Sequence, residues 1–332
     1  MTYNLSTPEN RFRYVLTVWC IFTSIFLSSC AGKVITEIRK SGANPEYVYR
    51  DYVGDEKYIS VNGINVCYID NNIASRPTLL FLHGLSLSIH NFRYNYPDFF
   101  DKYRVVAVDF PGFGKSEMPN APYSIDFFVA FTRSFMDKLG IDKAVLIGNS
   151  LGSHVALEFA LNYPQRVQAL VIESSTGIRW QVGILEYIIL RAYITENQFK
   201  NISEKKMREH IEWSWYHQCP ASEELVNHRI HFRRKYYDTL IYEYNNKAFV
   251  RGLWHVINDT IRYKVNAIAV PTLIVWGRHD SVTKLCDAHY LHRKIKGSRL
   301  EIIENAGHLA HIEQPEAFNK VVRQYLEDIL RY

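Results

Sequence analysis

Gly148-Asn149-Ser150-Leu151-Gly152 decides the reading of this chain. The stretch follows an apolar run, Lys143-Ala144-Val145-Leu146-Ile147, that reads as a buried strand. It precedes Ser153-His154-Val155-Ala156-Leu157-Glu158-Phe159-Ala160, which reads as a helix. A serine on a sharp strand-to-helix turn adopts a strained backbone and presents its hydroxyl at the end of the sheet. Glycines two residues to either side let neighbouring backbones approach without a side-chain clash. Alone, G-x-S-x-G is a weak signal. At roughly 7% Gly and a similar share of Ser, about one chain in ten of this length carries it by chance, as a plain small-residue turn.

The rest of the sequence supplies the context. His83-Gly84-Leu85 follows the apolar strand Thr78-Leu79-Leu80-Phe81-Leu82. Asp280 closes Trp276-Gly277-Arg278-His279-Asp280, after the strand Thr272-Leu273-Ile274-Val275-Trp276. His308 lies in Asn305-Ala306-Gly307-His308-Leu309, after the strand Leu300-Glu301-Ile302-Ile303-Glu304. The chain order is Ser, Asp, His, and each candidate follows a strand, so all three are expected at the carboxyl edge of one sheet. In such a set Ser150 attacks a carbonyl and His308 takes its proton. Asp280 orients the imidazole and stabilises its charged form. The N–H of Leu151, just after the nucleophile, is one expected donor to the oxyanion.

With Asp109-Phe110-Pro111-Gly112-Phe113-Gly114-Lys115-Ser116 and Gly307-His308-Leu309-Ala310-His311-Ile312-Glu313-Gln314-Pro315 added, the chain resembles the α/β-hydrolase family from about residue 55 to its end, apart from a central insertion. The likeness is closest to single-domain lipases and esterases and to carbon–carbon bond hydrolases that cleave ring-fission products. It implies an α/β fold with a mostly parallel sheet, helices on both faces and an inserted helical cap. It also implies a second oxyanion donor, the N–H of Leu85. Asn149 stands where many relatives carry His, and Ser153 where many carry Gly.

Thirteen histidines compete for the role of base. His83 is expected to pack beneath the oxyanion loop, and His154, one helical turn past the serine, to face away. His279 and His311 flank the acid and the base as supporting or surface residues. Glu173, at a strand end where a few relatives place the acid, is the rival to Asp280. Asp109, before the Pro111-Gly112 turn, reads as a loop-fixing carboxylate.

The amino-terminal segment reads as an address. Arg11 and Arg13 precede a mostly apolar run from Tyr14 to Leu27, which ends in Leu27-Ser28-Ser29-Cys30. This is the pattern of a secretory signal over residues 1–29. Its ending resembles the bacterial lipobox, which implies a lipidated Cys30, an anchor in the bacterial cell envelope and a tether over residues 30–45. Ala31, in place of the aspartate that retains such proteins on the inner membrane, points to the outer membrane where a cell has two. An uncleaved anchor is the alternative, although the run is shorter than the roughly 20 residues of a spanning helix.

At 332 residues, with 47% hydrophobic and 14% aromatic content, the chain has ample material for a core. Loss of Arg11, Arg13 and Glu9 with the signal lowers the net charge from +5 to +4, too mild to argue for nucleic acid. Three cysteines (Cys67, Cys219 and Cys286) follow Cys30, an odd number that gives no disulfide framework. No Cys or His cluster has metal-site spacing, and no metal or cofactor is expected.

Strands and helices alternate over 46–176 and 263–332, the two parts of the expected core. A hairpin is expected around Asn62-Gly63 and a helix near 88–100. Residues 177–262 break the alternation. Rich in aromatics from Trp180 to Trp254, they are expected to form the cap, most of the aromatics filling its own core and a minority lining an acyl or aromatic pocket. The reaction expected is hydrolysis of a small-molecule ester or acyl substrate through an acyl-enzyme. Carbon–carbon or amide cleavage on the same residues is the alternative, and a non-catalytic ligand-binding lipoprotein is a third reading. Epoxide hydrolases and haloalkane dehalogenases of this fold use a nucleophilic Asp, against which Ser150 argues. Oligomeric state is not legible in the sequence.

Overall fold

The computed structural model describes residues 56–178, 216 and 241–330, with the side chains of 241–247 excluded. The expected signal and tether, Cys30 with them, and most of the expected cap lie outside the described residues.

Eight strands form one sheet in the order β1-β2-β4-β3-β5-β6-β7-β8. They are β1 (Lys57–Val61), β2 (Ile64–Asp70), β3 (Thr78–Leu82), β4 (Arg104–Val108), β5 (Ala144–Asn149), β6 (Val167–Glu173), β7 (Thr272–Gly277) and β8 (Arg299–Ile303). The first two pair as a hairpin turned at Asn62-Gly63, both at positive φ, which is the signature of a two-residue primed turn. β2 runs antiparallel to β4, and every later pairing is parallel. The fold class is therefore the mostly parallel α/β sheet expected from the sequence.

Alternation within the strands sorts side chains onto two faces. Leu80, Leu82, Leu146, Ile172, Ile274 and Trp276 join one buried cluster, and Leu79, Phe81, Ile147, Val171, Leu273 and Val275 join the other. Both faces are apolar because both are covered. On the first lie α1 (Ile125–Lys138), α2 (Leu151–Asn162) and α4 (Leu285–Lys294), with α3 (Ile241–Asn258) contributing Ala248 and Val256. On the second lies α6 (Pro315–Ile329), through Phe318, Val322, Tyr325 and Leu326, preceded by the short α5 (Ala310–Glu313). Ser124 caps α1, accepting from the Phe127 N–H.

The helix expected near 88–100 is instead two 3-10 turns, Ile89–Phe92 and Tyr96–Phe99. Pro97 has no N–H to donate and crowds the α conformation of Tyr96, so a continuous α-helix is disfavoured. Between β6 and β7 the described residues hold helix α3 and no strand.

The chain leaves β3 towards β4 on one side, and β5 then lands on the other side of β3. Leu82 therefore pairs with Gly148 at the carboxyl ends of two strands whose connections diverge. Such a switch point opens a crevice between the loops after the two strands. One of those loops begins at His83, and the other is Ser150 itself.

Candidate active site

Ser150 has φ 54° and ψ −113°, a left-handed conformation that a side chain rarely adopts. Packing holds it there. A Cβ on Gly148 would lie 2.5 Å from the Gly152 carbonyl carbon, and one on Gly152 would lie 2.0 Å from the Leu82 carbonyl oxygen. The two glycines thus let α2 start directly against β3 and β5. Ser153 fastens the same turn: its Oγ lies 2.6 Å from the Gly148 carbonyl oxygen and accepts the Glu173 N–H at 2.9 Å. A glycine there would leave these groups without the hydroxyl. Gly152→Ala should destabilise the protein by about 1–3 kcal/mol, the usual result of forcing a methyl into a packed site. Urea unfolding checks this, and an unchanged midpoint would mean that the elbow is not packed as described.

His308 and Asp280 meet across two loops. His308 Nδ1 lies 3.0 Å from Asp280 Oδ2, both residues buried. The loops touch because Gly277 leaves room: a Cβ there would lie 2.0 Å from the Gly307 carbonyl oxygen. Asp280 also accepts from the Val282 N–H (2.8 Å), the Thr283 N–H (2.9 Å) and the Thr283 hydroxyl (2.7 Å). Burial works against charge on either member of the pair. The imidazole's charge and hydrogen bond, with those from Thr283, nevertheless hold Asp280 below its usual range. Asp280, helped by Glu173 and Glu313, likewise raises His308 above its ordinary value. Among the described residues Nε2 of His308 makes no hydrogen bond, Ser150 Oγ included. A nucleophile–base contact of this kind often tightens only around substrate.

The base loop is tied to the elbow from behind. Asn149 Nδ2 donates to the His308 carbonyl at 3.2 Å and to Glu173 Oε2 at 3.2 Å. Glu173 Oε1 accepts the His311 N–H at 3.0 Å, and Oε2 lies 2.7 Å from His311 Nδ1. Glu173 is thereby committed to Asn149 and His311, and Asp280 is the carboxylate that reaches His308.

The other side of the crevice is the loop after β3. Gly84 packs against Ser150, a Cβ on it falling 3.3 Å from Ser150 Cβ. Its carbonyl oxygen lies 2.7 Å from His83 Nδ1 and accepts the Leu87 N–H at 3.1 Å. His83 Nε2 accepts the Phe110 N–H at 2.9 Å, so Nδ1 carries the proton. A trans peptide points its N–H opposite to its C=O, so the Leu85 N–H faces away from His83. Leu151 is the first residue of α2, and its N–H has no acceptor within the helix. Two candidate donors therefore flank the Ser150 turn, one from each loop of the switch point.

The four other histidines singled out in the sequence have partners away from Asp280. His83 is the packed residue expected. His154 is buried, with Nδ1 3.5 Å from Thr176 Oγ1, and burial with Lys264 nearby lowers its pKa to about 3, so it stays neutral. His279 stacks on Tyr216 at 3.7 Å. His311 is fully buried against Glu173 and Phe92. Asp109 holds the Ile89 and Lys115 N–H groups at 2.7 Å each, as a loop-fixing carboxylate should; burial lifts its pKa to about 6 despite those bonds. Thr283 and Glu313 are supporting residues that the sequence did not single out, and Asn149 was noted there only as a departure from relatives. Only the Asp280-x-x-Thr283 spacing, which suits a side-chain-to-backbone turn, carried a local signal. Cys67 and Cys286 are free thiols, and no group of metal-ligating side chains occurs among the described residues.

The sequence model of the alpha/beta hydrolase fold matches residues 77–315. A 2-hydroxy-6-oxononadienedioate/2-hydroxy-6-oxononatrienedioate hydrolase of Klebsiella pneumoniae is 30% identical over 262 residues, 76% of this chain and 87% of its own length. Epoxide hydrolase 1 of Caenorhabditis elegans is 25% identical over 293 residues, 82% of this chain and 70% of its own length. Among solved structures, a membrane phospholipase A described as a bacterial virulence factor superposes with a TM-score of 0.67 at 21% identity, covering 97% of this chain and 99% of its own.

Proposed function

Because this chain belongs to the alpha/beta hydrolase fold family, we propose that it is a serine hydrolase of carboxylic esters, with Ser150 as nucleophile, His308 as base and Asp280 as its orienting acid. The observation that carries the reading is the 3.0 Å His308–Asp280 contact on a loop bonded to Asn149, the neighbour of a serine held at φ 54°. Ser150 Oγ adds to the carbonyl carbon as its proton passes to His308 Nε2. The Leu85 and Leu151 N–H groups receive the oxyanion. The C–O bond then breaks, and the leaving alkoxide takes the proton from Nε2. Water attacks the acyl-enzyme with the same nitrogen as base, releasing the acid and restoring the hydroxyl.

Carbon–carbon cleavage is the second reading, favoured by the 30% identity to a hydrolase whose name gives a dioate. Asp280, Glu173 and Glu313 favour the imidazolium in either reaction. Breaking a C–C bond requires the leaving carbon to be stabilised, whereas an ester's leaving oxygen needs only a proton. Epoxide chemistry does not carry over from the nematode relative. Attack by Ser150 on an epoxide would leave an ether that water does not hydrolyse, whereas a carboxylate nucleophile leaves an ester that it does. Nitrophenyl esters graded in acyl length should be turned over, and a ring-fission dienoate should not; faster turnover of the dienoate would overturn the ester assignment.

Within this proposal lipid acyl esters are one candidate substrate class; the membrane phospholipase A shares the fold. Attachment through a lipidated Cys30 in the cell envelope follows from the Leu-Ser-Ser-Cys ending. Each acyl methylene contributes about 0.8 kcal/mol of membrane affinity. The full chain expressed in bacteria should therefore partition into detergent on cloud-point extraction and take up labelled palmitate, and Cys30→Ser should do neither. Retention of the variant in detergent without label would favour an uncleaved anchor.

A further inference from the structure

Glu313 sits one turn beyond His308, in α5, and is 6% exposed. Its side chain folds back over the base loop. Oε1 accepts the Gly307 N–H at 2.9 Å and lies 3.4 Å from the Leu309 nitrogen, the residues on either side of His308. Oε2 accepts the N–H of Tyr216 at 2.8 Å. Tyr216 comes from the insertion between β6 and β7. Its ring stacks on His279 with centroids 3.7 Å apart and planes within 8°. His279 is the neighbour of Asp280. A single residue of the insertion thus grips both loops, the acid's through its ring and the base's through its N–H.

We propose that Glu313 is a positioning residue for His308 and that, through it, the seating of Tyr216 sets the geometry between base and acid. The proposal rests on His308 being the base. The Leu309 N–H lies in the peptide that follows His308 and the Gly307 N–H in the peptide that precedes Gly307, so one carboxylate oxygen holds the chain before and after His308 and with it the direction of its Cα–Cβ bond. The second oxygen ties that stretch to the insertion. A carboxylate is needed for this. A glutamine in the same place offers one oxygen and turns an N–H₂ donor towards one of the N–H groups that must be accepted.

The ionisable groups packed around the imidazole are Asp280 from the loop after β7, Glu173 from the end of β6 with His311 against it, and Glu313 from α5; His279 lies beyond, under Tyr216. Three carboxylates favour the imidazolium. Removing the charge at 313 therefore lowers the pKa of the base, and the acid limb of any reaction that needs neutral imidazole moves to lower pH.

The rate of Ser150 modification by a fluorophosphonate, followed against pH in the full chain, reads both effects without a known substrate. Glu313→Gln should lower the maximal rate about 10- to 100-fold, as expected for a displaced catalytic group, and move the acid limb down. Glu313→Asp keeps the charge but shortens the reach, so it should keep the limb near its original place with a reduced maximum. Tyr216→Ala should slow labelling, and combining it with Glu313→Gln should cost no more than Glu313→Gln alone. Thermal unfolding of each variant checks that it is folded; if Glu313→Gln does not fold, the decision passes to Glu313→Asp and Tyr216→Ala. An unchanged limb and maximum in Glu313→Gln, or independent multiplying losses in the double variant, would overturn the proposal. Full labelling of His308→Ala would instead overturn the base assignment on which it stands.

Discussion

Ser150→Ala should reduce ester turnover by a factor on the order of 10⁶, and His308→Ala by a similar factor. The double variant should be no worse than either single one, because nucleophile and base act as a unit and the loss of one leaves the other without a task. The structure supplies the reason for so large an effect. Ser150 is held in its strained turn by contacts of Gly148 and Gly152 with β3 and α2, at the carboxyl end of β5. The alanine variant still fits that turn, so its unfolding midpoint should stay close to that of the parent. Steady-state ester hydrolysis with purified protein makes the measurement. Near-normal turnover by Ser150→Ala would remove the acyl-enzyme mechanism altogether.

Asp280→Asn should lower the maximal rate by about 10⁴. The asparagine oxygen can still accept from the Val282 and Thr283 N–H groups, which Asp280 Oδ1 accepts at 2.8 and 2.9 Å. Its amide then turns an N–H towards His308 Nδ1. The imidazole must answer with its proton on Nε2, the nitrogen meant to receive the proton of Ser150. A pH effect accompanies the loss. The folded pKa of His308 lies above its ordinary value because the attraction of Asp280, Glu173 and Glu313 outweighs the penalty of burial. Neutral imidazole, and hence activity, is gained as pH rises through that folded pKa. With Asp280 neutralised the burial penalty remains while its largest opponent is gone, so the acid limb should move to lower pH even as the plateau falls. A pH–kcat/KM profile for both proteins tests the sign. A limb that stays in place would mean that Asp280 does not set the basicity of His308.

Much of this site is legible in the chain because its parts are local. The turn at Ser150 is written into five residues, since glycines at 148 and 152 are required by contacts between a strand and the helix that follows it. The ends of β3, β5, β7 and β8 are marked by apolar runs that stop at His83, Ser150, Asp280 and the loop of His308. Where an internal signal was overlooked, the reading slipped: Pro97 breaks the segment after β3 into two 3-10 turns rather than one helix. The supporting shell carries almost no local mark. Asn149 reads as a mild departure from relatives, yet it bonds to the carbonyl of His308, 159 residues away in the chain. Glu173 reads as a rival acid at a strand end, and only its partners His311 and Asn149 assign it elsewhere.

The sequence by itself determined the fold class and the strand ends, and with them the placement of Ser150, Asp280 and His308 just after those ends, because hydrophobic period, glycine conformation and residue chemistry act over a few neighbouring positions. The tertiary structure alone decided which carboxylate meets His308 and what holds that histidine's loop. It also brought Tyr216 of the insertion against His279 and Glu313, beside the acid and the base. Those outcomes depend on distances between segments far apart in the chain, which are fixed only when the two faces of the sheet are packed.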